Sequence, residues 1–149
     1  MSGTAGGAGA GGAGSGGPAA RLGLEPQMVL QELGWDEDVD DELRVAIEAH
    51  IGAQMVDGDV GDVVDGVLLW WRDDDGDLVD ALVDALTDLG DGGGIWLLTP
   101  KVGRERHVDP ADIAEAAPVA GLAITTTQTV CTDWAVTRLV TPKATRKTR

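Results

Sequence analysis

The chain has no phenylalanine, no tyrosine and only one cysteine, Cys131. A single thiol excludes an internal disulfide and a multi-cysteine metal site. Its ordinary role is that of a small buried apolar side chain; a redox sensor would need an exposed thiol of lowered pKa. With no other aromatics, the five tryptophans have to supply the bulk of the core. Trp35 and Trp134, both in expected turns, are the two suited to the wall of a ligand site. Ser2 and Ser15 are the only serines, both in a glycine-rich terminus, and no G-x-S-x-G elbow or P-loop exists. His107, in "GRERH", could serve Cys131 as a base, but no local pattern joins them. No apolar run approaches the roughly 18 to 20 residues of a membrane span; Val67 to Trp71 is the longest. The N-terminus lacks the charged, apolar and cleavage regions of a signal peptide, which leaves a cytoplasmic location as the default.

Bases are scarce: 11 against 26 acids, for a net charge of −15. The imbalance is regional. Residues 25–91 carry 21 acids against two bases, Arg44 and Arg72, a net of −19, whereas residues 92–149 carry eight bases against five acids, a net of +3. Such a surface repels phosphate backbones, which argues against nucleic acid as a partner. It serves solubility, and it could also present a negative face to a basic protein partner.

Three regions follow from composition. Residues 1–18 are Gly/Ala/Ser low complexity and are expected to be disordered, having nothing to bury. Gly7, Gly9 and Gly12, like Gly12, Gly14 and Gly17, match G-x-G-x-x-G. Without a strand before them or a helix after, they cannot cradle a phosphate. Residues 19–142 form one α/β domain, and residues 143–149, "KATRKTR", a basic flexible tail.

Within the domain, "MVLQELGW" (28–35) reads as a first strand. Asp36 or Asp38 then caps a helix over 39–51, where Val39, Leu43, Ile47 and Ile51 fall at helical spacing. His50 sits in its last turn, a surface position. "AQMVD" (53–57) suggests a short second strand, and "DVVDGVLLWW" (62–71) a strand apolar on both faces, as in the middle of a parallel sheet. A helix over 77–89 buries Leu78, Leu82, Ala85 and Leu89 and sets Asp80, Asp84 and Asp88 in a ridge opposite. Gly90 to Gly94 should turn the chain into "GIWLLTP". Asp109 and Pro110 open a helix through about Ala117, which Pro118 should end or bend. Runs 123–130 and 135–141 make an antiparallel hairpin. This alternation predicts a three-layer Rossmann-like sandwich with a mostly parallel sheet and a C-terminal antiparallel hairpin.

Ligands of such folds sit outside the C-terminal strand ends. There the sequence places Gly34, Arg72, Thr99 and Lys101, with Arg72 and Lys101 able to converge on one crevice. The simpler role for Arg72, amid four aspartates, is an ion pair. The acids of "DDDGD" fail as a calcium loop, because a glycine at position 6 puts Trp71 at position 1. Capping of the next helix explains them, although any aspartate cluster can hold magnesium weakly.

"VLQELGW" with its helix, then "DVVDGVLLWW", a helix and "GGGIWLLTP", resembles a shortened class I methyltransferase core. In that fold a glycine-rich turn after the first strand accommodates S-adenosylmethionine. Here Glu32-Leu33-Gly34 matches the start of the motif, while Trp35, Asp36, Glu37 and Asp38 stand where later glycines belong. A bulky, charged turn should block that seat, so no cofactor is expected. Over nearly all of residues 19–143, "ELGWDEDVDDELR", "LLWWRDDDGDLVDALVDAL", "GGIWLLTPK" and "DWAVTRLV" resemble the small acidic actinobacterial proteins known as domain of unknown function 3052. That resemblance implies a soluble, cytoplasmic, Rossmann-like protein and carries over no catalytic residue. Missing catalytic motifs and extreme regional charge together point to a non-enzymatic interaction or regulatory protein, with Asp80, Asp84 and Asp88 at its partner face. The alternative is a small-molecule or nucleotide-binding domain.

Overall fold

A computed structural model describes residues 17–59 and 61–142. Most of the expected N-terminal arm and the whole basic tail lie outside the described residues. The elements are α1 (Pro18–Arg21), β1 (Leu30–Leu33), α2 (Asp41–Ile51), β2 (Val64–Trp70), α3 (Leu78–Ala85), β3 (Leu89–Pro100), α4 (Pro110–Val119), β4 (Ala123–Thr129) and β5 (Trp134–Val140). They build a five-stranded sheet of order β1-β2-β3-β5-β4. β1, β2 and β3 are mutually parallel. β5 runs antiparallel to both β3 and β4, so the hairpin folds its second strand back between them.

β2 shows how the layers arise. Successive strand residues point to opposite faces, and here both sets are apolar. Leu68 and Trp70 join Leu43, Ile47 and Ile51 of α2 in one core. Val67 and Leu69 join Leu82 of α3 and Ile113 of α4 in the other. The sheet is therefore covered on both sides, the sandwich expected from the alternation. Among the described residues no helix is long and apolar enough to cross a membrane.

Several expectations need correction. The cap of α2 is Asp40, whose carboxylate accepts from Leu43 N at 2.9 Å; neither Asp36 nor Asp38 serves. α3 ends at Ala85 rather than Leu89, because the chain turns at once to offer the Asp88 carbonyl to Val64 N at 2.8 Å. Gly90 to Gly94 then belong to β3 and not to a turn. A Cβ at Gly93 would lie 2.5 Å from Leu89 Cδ1 and 2.7 Å from the Asp65 carbonyl, so glycine is what lets β3 press against β2. α4 continues through Pro118 to Val119. In the last turn the missing N–H is tolerated, since Ala120 and Leu122 still donate to Ala116 and Ala117 at 3.1 and 2.8 Å.

The expected strand at 53–57 shrinks to one bridge, Val56 beside Gln31. Its bonds are complete all the same: Val56 N donates to Leu30 O at 2.9 Å and Glu32 N to Val56 O at 2.8 Å. The bridge fixes the topology of the site. The chain leaves β1, returns through α2 to the outer side of β1, and only then crosses to β2 on the inner side. Strand order reverses between β1 and β2, which makes their C-terminal ends the switch point of the sheet.

Candidate functional site at the switch point

β1 is followed at once by Gly34, which adopts φ 79°. A Cβ there would stand 2.2 Å from the Trp70 carbonyl, so no other residue fits this turn. The close approach aims the Gly34 carbonyl at the end of β2, where Arg72 is only 3% exposed. Arg72 Nη1 donates to that carbonyl at 2.7 Å and to the Trp70 carbonyl at 3.3 Å. Its Nε donates to Asp38 Oδ2 at 3.0 Å, and Nη2 to Asp38 Oδ1, a two-pronged pair. Asp75 closes the arrangement, accepting from Arg72 N at 3.0 Å and lying 3.4 Å from Nη1.

The cluster extends to both sides. The guanidinium stands 5.4 Å from the centroid of Trp134, which meets Trp70 edge-on at 4.9 Å. Trp70 Nε1 donates to Glu32 at 2.9 Å, and Arg44 grips both Glu32 oxygens at 2.7 Å. On the solvent side, Arg106 reaches Asp38 at 3.0 Å and Asp74 at 3.4 Å, and its carbonyl accepts from Asp73 N at 3.0 Å. The hydrogen bond from Arg72 holds the Asp38 carboxyl below the usual carboxylate range, outweighing a partial burial that pushes it up. For Arg72, burial is the largest influence and opposes the charge, but Asp38 and then Asp75 more than offset it and raise the pKa. The four aspartates after Arg72 are thus divided among three tasks: Asp75 pairs with Arg72, Asp73 and Asp74 anchor the Arg106 loop, and Asp77 caps α3.

The four candidate binding residues do not converge. Gly34 and Arg72 meet each other directly, whereas Thr99 and Lys101 line a recess of about 90 Å³ with Val108, Ile113 and Thr127. The reason is the strand period of two. Trp96 and Leu98 of β3 face α2, so Thr99 and Lys101 alternate to the α3–α4 side. Trp35 is 55% exposed and fills nothing. Trp134 is buried beneath Arg72 as a packing partner, with only its edge reaching the cleft outside. A cleft of about 490 Å³ does open just outside the plug, lined by Asp38, Pro100, Arg104, Arg106, Asp133 and Trp134. Its arginines are already paired, Arg104 with Asp133 at 3.3 Å and Arg106 with Asp38. Sequence reasoning left out Arg106 and read Asp38, at the same strand-end edge, as a helix cap and not as the partner of Arg72, because 34 residues separate Asp38 from Arg72 and 68 separate it from Arg106.

The acidic ridge is shorter than expected. Asp80 and Asp84 are exposed on α3, but Asp88 lies past the helix end and accepts from Gln31 Nε2 at 3.2 Å. Cys131 is half-buried; burial, reinforced by Asp40, pushes its pKa up to about 11, opposite to what a redox sensor requires. His50 fastens the end of α2, with Nε2 2.6 Å from the Leu24 carbonyl.

Solved structures share the architecture. The pyocyanin biosynthetic protein PhzM superposes with a TM-score of 0.63 at 12% identity, over 82% of this chain and 52% of that one. Magnesium protoporphyrin IX methyltransferase from Synechocystis, solved with bound SAM, gives 0.53 at 11% identity, over 83% and 74%. The CcbJ methyltransferase from Streptomyces caelestis gives 0.54 at 14% identity, over 84% and 94%. At these identities the likeness is one of fold. Uncharacterized proteins of Mycobacterium tuberculosis and Mycobacterium bovis are each 52% identical over 126 residues, 85% of this chain and 79% of theirs. With residues 19–143 matching its model, the chain belongs to the family described as protein of unknown function (DUF3052).

Proposed function

We propose that this chain is a non-enzymatic interaction protein, a methyltransferase-like fold whose switch-point seat is taken by its own Arg72 and whose acidic face engages a basic protein partner. One observation carries the reading. The acidic segment 25–91 holds only two bases, and the fold consumes both internally, Arg44 on Glu32 and Arg72 on Asp38 and Asp75. No described base pairs with Asp80 or Asp84, which stand exposed beside a 50% exposed Val83 on α3. A face with uncompensated like charge gains most from a partner that brings cations. The test is titration with a ten-lysine peptide at low salt. Asp80→Lys with Asp84→Lys should weaken binding at least fivefold more than the equal reversal Asp59→Lys with Asp62→Lys. Equal losses would mean that net charge alone is being read, and the α3 face would lose its role.

The cleft outside Arg72 supports a second reading, a small-molecule site that sits above the plug rather than in the customary seat. A ligand at 100 times its Kd adds about 2.7 kcal/mol of stability. A thermal-shift series with S-adenosylmethionine, its demethylated product and adenine nucleotides at millimolar concentration tests it. A flat series excludes these ligands from the cleft.

A further inference from the structure

The two edges of the sheet are treated differently. At β1 the outer backbone groups are met by the Val56 bridge. At β4 the described residues provide no such cover: its pairing is with β5 alone, and every residue but Ala123 and Gln128 is exposed. Open edges invite pairing with another strand, and proteins guard them with lysine, proline, inward-pointing charge or a bulge. β4, Ala-Ile-Thr-Thr-Thr-Gln-Thr, has neither charge nor proline. Its one irregularity is a register shift between Ile124 and Thr126, which leaves Thr126 to Thr129 in regular register with β5.

Charge identifies the occupant. Two copies of a chain of net charge −15 repel one another overall, most strongly between their acidic 25–91 segments. Residues 116–132, however, carry no charged side chain, the longest such run after Arg21, and β4 lies within it. Antiparallel pairing about a two-fold axis brings a strand against its own copy, so any charge near the axis meets its like. A neutral, threonine-rich strand that includes the 41% exposed Ile124 meets that condition. We infer that β4 is a self-association edge, pairing antiparallel with β4 of a second copy to make one continuous sheet.

Sedimentation velocity on the full chain between about 1 and 200 μM tests this at about 0.05 and 0.5 M salt. The mass should rise with concentration from 15.4 kDa toward twice that value. Higher salt should tighten the dimer several-fold by screening self-repulsion, the opposite of its effect on an acid–base encounter. Thr127→Lys with Thr129→Lys should restore the monomer, and Asp80→Lys with Asp84→Lys should not. Should the lysine variant lose its near-ultraviolet tryptophan signal, hydrogen exchange on the unmodified chain decides. Among Thr126 to Thr129, the amides that point away from β5 should become more protected as concentration rises, while those of β1 do not change. A monomer at all concentrations, a dimer indifferent to the β4 lysines, or concentration-independent exchange at β4 overturns the inference.

Discussion

Arg72 and Asp38 meet side-on at the switch point, Nε on Oδ2 and Nη2 on Oδ1, and the same guanidinium holds the Gly34 carbonyl. Lysine would keep the charge at position 72 but cannot supply this fork, having a point-like ammonium in place of a planar donor set. Arg72→Lys should therefore lower the unfolding free energy by about 2 kcal/mol, and Arg72→Met by somewhat more, since it leaves Asp38 and Asp75 without their buried partner. Urea denaturation measures both; a loss under about 0.5 kcal/mol, the size usual for an ordinary surface change, would show that the cluster is dispensable.

Asp38 makes the stability depend on pH in a defined direction. Its folded-state pKa lies below the unfolded value of about 3.9, so its contribution is complete above that value and disappears as pH falls through the folded one. Wild type and Asp38→Asn should differ most above about pH 5 and converge only as pH falls through the lowered folded-state pKa. Parallel melting curves at all pH values would mean that the carboxylate is not paired.

Gly34→Ala should cost at least about 2 kcal/mol, combining a left-handed backbone with a Cβ at 2.2 Å from a carbonyl oxygen. Gly52→Ala is the matched control. Its φ is 83°, yet nothing lies within 4 Å of the added atom, so only the conformational part of the cost remains. Equal losses in the two variants would remove the argument for close approach at β2.

The Cys131 thiol, pushed up to about 11, should alkylate slowly at neutral pH. Iodoacetamide should react with the folded protein on the order of a hundredfold more slowly than with a free cysteine, and the rate should climb until pH approaches that value. Reaction at the free-cysteine rate would place the thiol in the open.

Local rules carried most of the fold into the sequence. The continuous apolar run of β2, the Asp109-Pro110 start of α4 and the threonine-rich hairpin can each be read from neighbours in the chain. The glycines at 90–94 misled because glycine serves turns and close strand contacts alike, and only the proximity of Asp65 and Leu89 distinguishes them. The site was half legible. Arg72 and Gly34 stand out at strand ends, and an ion pair was the simpler expectation for Arg72. Its principal partner Asp38, and Arg106 beyond it, belong to loops that tertiary structure alone brings together. Thr99 and Lys101 share the correct sheet edge but face the wrong side of it.

The Asp38 contacts also bear on the order in which the molecule assembles. They span 34 residues to Arg72 and 68 to Arg106, so the turn after β1 cannot settle until β2 and the loop beyond β3 are both in place. Long closures are entropically late events, and interactions formed late act mainly on the unfolding limb of the kinetics. Asp38→Asn should accordingly hasten unfolding while leaving the refolding rate nearly unchanged, so that the same ion pair that fills the crevice also sets how long the native state survives.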